Sequence, residues 1–336
     1  NLLAQFSSKI FNKKPKNLIA VTGTNGKSSI ANFYFQILNL SKIKVASIGT
    51  LGVDGIKIRN KVSNTTFDTI QINKILKKLK EKKIENVILE ASSHGLNQNR
   101  LDGLKFDIGI FTNLSRDHLD YHRSYKNYLN SKLILFKKLL KKKSYAIFDD
   151  DLKISSNLNR ITKSNKIEKF TIGNNKSSFT ILEQQFLKDE QNIIFRFDKK
   201  EYSFSTKLIG RVQIKNLLMA IMAAIKSKIP LEKILKITQK IKPVNGRLEK
   251  IGRLYNNGII ILDYAHTPDA LRTCIKNVKE QFKLRKINLV FGCGGERDKP
   301  KRKIMGIIAD RYCDKIYLTD DNPRSEDPKK IRRDIK

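Results

Sequence analysis

A short apolar run, Asn17-Leu-Ile-Ala-Val-Thr22, passes straight into Gly23-Thr24-Asn25-Gly26-Lys27-Ser28-Ser29 and then into a helical pattern that reaches about Leu40. An apolar run of this length closed by glycine reads as a buried strand. A strand that hands over to a glycine loop and a helix lets backbone N–H groups approach phosphate oxygens, and the helix N-terminus favours their negative charge. Lys27 would then reach the terminal phosphates and Ser28 would ligate magnesium. Val21 stands where the common phosphate-loop spacing has its first glycine. The competing account is an ordinary glycine turn before a helix.

Further apolar runs at 44–48, 86–90, 107–112 and 145–148 read as buried strands, with helical patterns between them at 70–82 and 125–142. Alternation of this kind predicts an α/β fold, with a parallel sheet covered on both faces. Ligands then belong at the carboxyl ends of the strands. From Lys169 to Leu208 the character changes to short strands at 170–172, 179–182, 193–197 and 202–205, expected as a small antiparallel extension. An apolar helix at 214–225 returns to the first core, and a new β/α series has strands near 258–262, 287–291 and 315–318. Pro243-Val-Asn-Gly-Arg247 offers a hinge. The expected organisation is a linker or domain remnant over 1–16, a central ATP-binding P-loop unit over 17–243, and a partial Rossmann-like unit over 244–336.

Lys+Arg 68 against Asp+Glu 32 gives a formal charge of +36. Such a balance raises nucleic-acid binding as a possibility. Here the lysines are spread over nearly the whole chain among Ile and Asn, with no arginine-rich tail and no zinc-finger spacing, so they read as solvated faces that attract polyanionic substrates. Cys274, Cys293 and Cys313 form no paired spacing, which places the chain in a reducing cytoplasm. No apolar run approaches a membrane span. The expected partners are small molecules, with no membrane, no nucleic acid and a monomeric state. The absence of an initiator Met and the ending in a helical pattern at Lys336 read as a fragment.

Glu90 ends an apolar strand, where a carboxylate is costly unless it meets a cation or a donor. It is either a magnesium ligand or a hydrogen-bonded structural acid. His118 lies in Thr112-Asn-Leu-Ser-Arg-Asp-His118 and is either a metal ligand or a loop histidine. Lys132 is one lysine among many and is unremarkable by composition.

Four motifs occur in one order: Gly-Thr-Asn-Gly-Lys-Ser-Ser, Glu-Ala-Ser-Ser-His-Gly-Leu from Glu90, Thr-Asn-Leu-Ser-Arg-Asp-His-Leu-Asp-Tyr-His from Thr112, and Asp-Tyr-Ala-His-Thr-Pro-Asp-Ala-Leu from Asp263. Together they make the chain resemble the Mur ligases, the ATP-dependent amide-bond-forming enzymes of peptidoglycan synthesis, from about Leu18 onward. The resemblance implies addition of meso-diaminopimelate to the D-glutamyl γ-carboxylate of UDP-N-acetylmuramoyl-L-Ala-D-Glu through an acyl phosphate, using ATP and Mg²⁺. It implies that Gly23, Thr24, Asn25, Gly26, Lys27, Ser28 and Ser29 hold ATP, with Asn216, Arg247 and Asp263 on the nucleotide's other side. Ser28, Glu90, His118 and Lys132, the last as a carbamate, would serve the metal. Asn64, Thr65, Thr66, Ser92, Gln98 and Arg100 would contact the UDP-muramoyl dipeptide.

Asp321-Asn322-Pro323-Arg324 resembles the family's loop for meso-diaminopimelate, with Arg324 as discriminator and Arg297 as a second contact. A planar guanidinium can hold the distal carboxylate that lysine lacks. A plain proline turn is the alternative for this tetrapeptide. Phe67 and Pro300 depart from the family's usual proline and glycine, and a Gly-Lys-Gly-His-Glu motif is not found. Rival accounts are a folylpolyglutamate synthetase-like ligase, a basic nucleic-acid-binding P-loop protein, and a non-catalytic homologue that binds nucleotide only.

Overall fold

The computed structural model describes residues 2–57, 64–173, 177–187 and 189–336. In chain order the first half runs α1 (Leu2–Ile10), β1 (Asn17–Thr22), α2 (Lys27–Leu40), β2 (Val45–Gly49), β3 (Gly52–Asp54), α3 (Thr69–Glu81), β4 (Asn86–Glu90), α4 (Ser93–Asn97), β5 (Phe106–Phe111), α5 (Leu119–His122), α6 (Tyr125–Ile134) and β6 (Leu140–Asp149). Then come α7 (Ser155–Ser164), β7 (Glu168–Gly173), β8 (Phe179–Phe186), β9 (Gln191–Phe197), β10 (Lys200–Thr206), α8 (Arg211–Lys226) and α9 (Leu231–Leu235). The last stretch holds β11 (Glu249–Arg253), β12 (Ile259–Leu262), α10 (Pro268–Gln281), β13 (Asn288–Phe291), α11 (Lys301–Tyr312), β14 (Lys315–Leu318) and α12 (Pro328–Ile335).

Ten strands form one sheet in the order β10-β9-β8-β7-β6-β5-β1-β4-β2-β3. Its middle is parallel, from β2 across to β8. Successive side chains of a strand point to opposite faces, and the continuous apolar runs feed two layers accordingly. Ile19 and Val21 of β1, Ile88 of β4 and Ile147 of β6 enter the layer beneath α2 and α8. Leu18 and Ala20, Val87 and Leu89, and Ala146 and Phe148 enter the opposite layer with Leu76 and Leu79 of α3. Burial on both faces is why these strands are apolar throughout rather than alternating. A smaller cluster of Leu271, Ile275, Met305, Ile308, Ile331 and Ile335 forms the core of the C-terminal part. No helix among the described residues is long and apolar enough to cross a membrane.

Three expectations need correction. The helix expected over 125–142 stops at Ile134, passes through a π-turn at Leu135–Leu139, and becomes β6 at Leu140. Leu140 pairs with Phe106 and Tyr145 with Ile108, so sheet pairing overrides the helix preference of the Leu/Lys run. The strand at 170–172 was expected in the antiparallel extension. It is instead parallel to β6, with Tyr145 opposite Glu168, because the polar helix α7 supplies a crossover. Antiparallel pairing begins at β8–β9. Finally, the strand near 258–262 pairs antiparallel with β11, while β13 and β14 pair in parallel as a separate ladder.

One seam joins the two parts. Asn277 of α10 accepts a hydrogen bond from the Val212 N–H at 3.1 Å, so a side chain of the C-terminal part caps the start of α8. Gln281 donates to the Leu187 carbonyl at 2.9 Å, and Lys250 and Arg253 of β11 pair with Asp189 at 2.7 and 2.8 Å.

Candidate active site between the two parts

The loop after β1 needs its glycines. Gly23 has φ 143° and Gly26 φ 86°, conformations open to glycine at no steric cost. A Cβ at Gly26 would also lie 2.7 Å from Asn216 Oδ1, and one at Gly23 would lie 1.9 Å from Thr112 Oγ1. The exit of β5 supports the loop from below. Thr24 N donates to the Asn113 carbonyl at 3.0 Å, Asn25 N to Asn113 Oδ1 at 2.9 Å, and Thr112 Oγ1 to the Asn25 carbonyl at 2.6 Å. Lys27 starts α2, and its Nζ donates to the Gly23 and Thr24 carbonyls at 3.1 and 2.8 Å. Burial lowers its pKa, against the opposing pull of Glu90 and Asp117.

Glu90 is buried at the end of the neighbouring strand β4. Its carboxylate accepts from Ser28 Oγ at 3.1 Å, from Thr50 N at 3.0 Å and from Thr50 Oγ1 at 3.1 Å. The acid is thus both hydrogen-bonded and placed against the phosphate-loop serine. Thr66 is buried behind it, donating through Oγ1 to the Glu90 carbonyl at 2.9 Å and accepting from Ser92 N at 2.9 Å. Ser92 in turn caps α4 through Gly95 N at 3.0 Å.

Lys132 is 1% exposed on α6 and donates to the Gly23 carbonyl at 2.7 Å, with its Nζ 4.3 Å from the Tyr128 ring centroid. Burial, then the nearby Lys27 charge, holds its amine well below the ordinary lysine range, with Asp117 pulling the other way. Sequence position 132 is therefore anything but one more surface lysine. His118 sits at φ 51° with Nε2 3.4 Å from Asp117. Its ring meets His94 edge-on at 4.8 Å, and His94 lies 5.4 Å from His122. Burial is the first cause that lowers all three imidazoles, that of His122 to about 4, with Asp120 opposing it at His94 and Asp117 at His118.

Two cavities open around these groups. The first, about 590 Å³, runs from Gly26, Lys27 and Ser28 at the start of α2 to Asn216 of α8, to Arg247 just before β11 and to Asp263 just after β12. Asp263 accepts from Leu248 N at 2.8 Å, and burial raises its pKa. The Arg247 guanidinium lies 4.4 Å from the Tyr264 ring centroid, and its carbonyl accepts from Gln213 at 2.9 Å. The second cavity, about 760 Å³, is lined by Asn64, Thr65, Ser92 and Arg100 on one side and by Arg297, Asp321, Asn322 and Arg324 on the other. Thr65, Asp117, His118 and Asp263 line both. A group bound to the phosphate loop and a group bound in the second cavity therefore share one boundary.

Five expected site residues line neither cavity: Gly23 and Lys132, joined behind the loop by the Lys132 hydrogen bond to the Gly23 carbonyl, and Thr66, Gln98 and Pro323. Thr66 is buried and acts through Ser92 and Glu90. Gln98 accepts from Arg100 Nε at 2.9 Å and donates to the Tyr121 hydroxyl at 3.2 Å. Pro323 turns its carbonyl to Glu326 N at 3.0 Å. Asn113 and Asp117 lie within the motif that starts at Thr112 but were given no role of their own, and Thr50 and Tyr128 were passed over, their signals being single polar residues far from the loop they serve.

Comparisons with known proteins place the chain in a family. Residues 21–224 match the Mur ligase middle domain, and residues 246–336 match the Mur ligase glutamate ligase domain. The UDP-N-acetylmuramoyl-L-alanyl-D-glutamate--2,6-diaminopimelate ligase of Rickettsia bellii (strain RML369-C) is 44% identical over 96% of this chain and 68% of its own length. The protein of the same name from Chelativorans sp. (strain BNC1) is 38% identical over 100% of this chain and 69% of its own. A solved structure of a ligase of that name superposes with a TM-score of 0.73 at 30% identity, covering 99% of this chain and 67% of that one. The chain spans about two thirds of these relatives, across a central sheet and a second part that close on one site, and it belongs to the Mur ligases.

Proposed function

We propose that this protein adds meso-diaminopimelate to the D-glutamyl γ-carboxylate of UDP-N-acetylmuramoyl-L-Ala-D-Glu at the expense of ATP, in peptidoglycan synthesis. One observation carries the proposal: the phosphate-loop cavity and the cavity that ends at Arg297 and Arg324 meet at Asp117 and His118. The dipeptide would lie along Asn64, Thr65, Ser92 and Arg100, its γ-carboxylate directed at Lys27. Attack of a carboxylate oxygen on the γ-phosphorus of ATP forms an acyl phosphate and releases ADP. The diaminopimelate amine then attacks the acyl carbon, and the tetrahedral adduct loses phosphate and a proton to give the amide. Lys27 offers a buried positive charge to the phosphoryl group in flight. Closure of the two parts holds amine and acyl group together, which supplies much of the rate through orientation. Arg247 and Asp263 would serve ATP from the far wall, with Asn216 on the adenine side.

The residues present fit magnesium. Ser28 Oγ and Glu90 Oε2 are hard oxygens 3.1 Å apart beside the phosphate loop, and magnesium needs few protein ligands when phosphates and water complete its shell. Bound there, the ion would neutralise phosphate charge. His118 would offer an imidazole nitrogen beside these oxygens. Burial holds the Lys132 amine well below the ordinary lysine range, which favours the unprotonated form that carbon dioxide requires; N–C bond formation with loss of a proton would leave a carbamate oxygen ligand in place of a cation.

The test is phosphate release by the full-length gene product with ATP and Mg²⁺. Release should require the UDP-muramoyl dipeptide and meso-diaminopimelate, with L-lysine poorer by about 10²-fold or more, because a site built for a carboxylate rejects the analogue that lacks it. Phosphate release indifferent to the dipeptide would overturn the proposal.

A further inference from the structure

Arg302, in the first turn of α11, is among the largest fully buried side chains at 1% exposure, yet it lines neither cavity. Its Nη1 donates to Glu326 Oε2 at 3.0 Å and to Asp334 at 2.8 Å, and its Nη2 donates to Glu326 Oε1 at 3.0 Å. The planar fork thus grips both oxygens of one carboxylate. Glu326 Oε1 also accepts from Glu296 N at 2.5 Å, and Glu326 N donates to the Pro323 carbonyl at 3.0 Å. One ion pair therefore touches both loops of the second cavity: the turn that carries Arg297 and the turn that carries Arg324. The loops also meet directly. Gly295 N donates to the Asn322 carbonyl at 3.2 Å, and Arg324 Nη1 donates to the Gly295 carbonyl.

Both turns are strained. Glu296, Asn322 and Arg324 have φ of 51°, 43° and 53°, the left-handed region that non-glycine residues occupy at a cost. Such conformations persist only where the surroundings over-determine them. A buried ion pair is weak evidence of net stability, because desolvation offsets most of its attraction; its better use is to specify one geometry. At Arg302 the geometry specified is the mutual placement of two guanidiniums on the cavity wall.

We propose that Arg302, through Glu326, is a positioning residue for amino-acid selection: it holds Arg297 and Arg324 at the separation that receives the far carboxylate of the amino-acid substrate. The assignment of that substrate rests on the reaction proposed above. Lysine at 302 keeps the charge and loses the fork. In the full-length gene product, Arg302→Lys should raise the KM for meso-diaminopimelate by about tenfold to 10²-fold and shrink its preference over L-lysine by a similar factor, the scale expected when a positioning contact slips. The KM for ATP should stay within about twofold, since that site is uniformly untouched. Glu326→Gln, which keeps shape and one acceptor, should move the same constants in the same direction by less.

A kcat loss with both KM values and the selectivity unchanged would mean a merely structural residue and would overturn the inference. Amide hydrogen exchange supplies a readout that needs no substrate. Arg302→Lys should speed exchange over 294–297 and 321–326 and leave 23–29 as in the parent. Unchanged exchange in both turns would also overturn it. If the parent protein ignores diaminopimelate while the exchange result holds, the reaction assignment fails and the anchoring of the two turns by Arg302 stands.

Discussion

The phosphate loop and the Asp321–Arg324 turn face each other across the same site but are held in place by opposite means. The loop is fixed by the central sheet: it leaves a strand paired on both sides, starts a helix packed beneath the sheet, and is cross-linked by the Thr112 and Asn113 side chains of the adjoining strand exit. The turn hangs from a two-stranded ladder with a small core and depends on one arginine and its carboxylates. A site that must hold phosphate the same way in every turnover can be built into a sheet. A site that must choose between amino acids can be re-tuned without disturbing the sheet if it is built from side chains.

The sharpest way to break this contrast is Lys27→Met. Removing the charge aimed at the phosphoryl group should lower kcat by about 10³-fold, while thermal unfolding moves little or rises, because a cation that burial disfavours has been removed. A loss of activity under about tenfold, measured by phosphate release, would mean that the loop does not depend on this lysine. A smaller effect is expected from Thr50→Val, which deletes the hydroxyl donor to Glu90 and keeps the backbone one. The Mg²⁺ concentration for half-maximal activity should rise roughly tenfold, as when a group orienting a metal ligand is lost. No shift in that titration would leave Thr50 without a part in the site.

The smallest effect belongs to the turn. Arg302 and then the Glu296 N–H hold the Glu326 carboxyl down at about 2, from an ordinary value of 4.5. The native state therefore binds this proton less readily than the unfolded chain, so the pair's contribution is fully present above pH 4.5 and is lost as pH falls toward 2. Thermal melts of Glu326→Gln should show a shallower decline through that window than the parent. Parallel declines would remove the ion pair from the account of what holds the turn.

What could be read from sequence follows the same division. The β1 run, the glycine loop and α2 are contiguous, and the strands were legible because burial on two faces makes them apolar throughout. Glu90 was conspicuous as a charge ending such a run. Lys132 was not: its meaning comes from a contact with the Gly23 carbonyl 109 residues away, and no local pattern marks one lysine among so many. The Leu/Lys run after it was misread as helix because its decisive partner, Phe106, lies on another strand. α7 was passed over although Ile154, Leu158 and Ile161 form a narrow apolar stripe along it, and with it the parallel placing of β7. Arg302 carries no sequence signal beyond its nearness to Arg297. Residues that act through backbone geometry announce themselves locally, and residues that act through distant pairing do not.

The seam at Asn277 has a practical corollary for taking the molecule apart. A chain severed in the Pro243–Arg247 turn would release a sheet-bearing fragment whose α8 begins at a bare Val212 N–H, with Gly210 no longer packed against Asn277 and Asp189 stripped of its two cations. The helix that presents Asn216 to the first cavity would thus enter solution with a frayed end. Nucleotide affinity measured on such an excised piece would understate what the same loop achieves in the intact chain, even though every residue of the loop itself was retained.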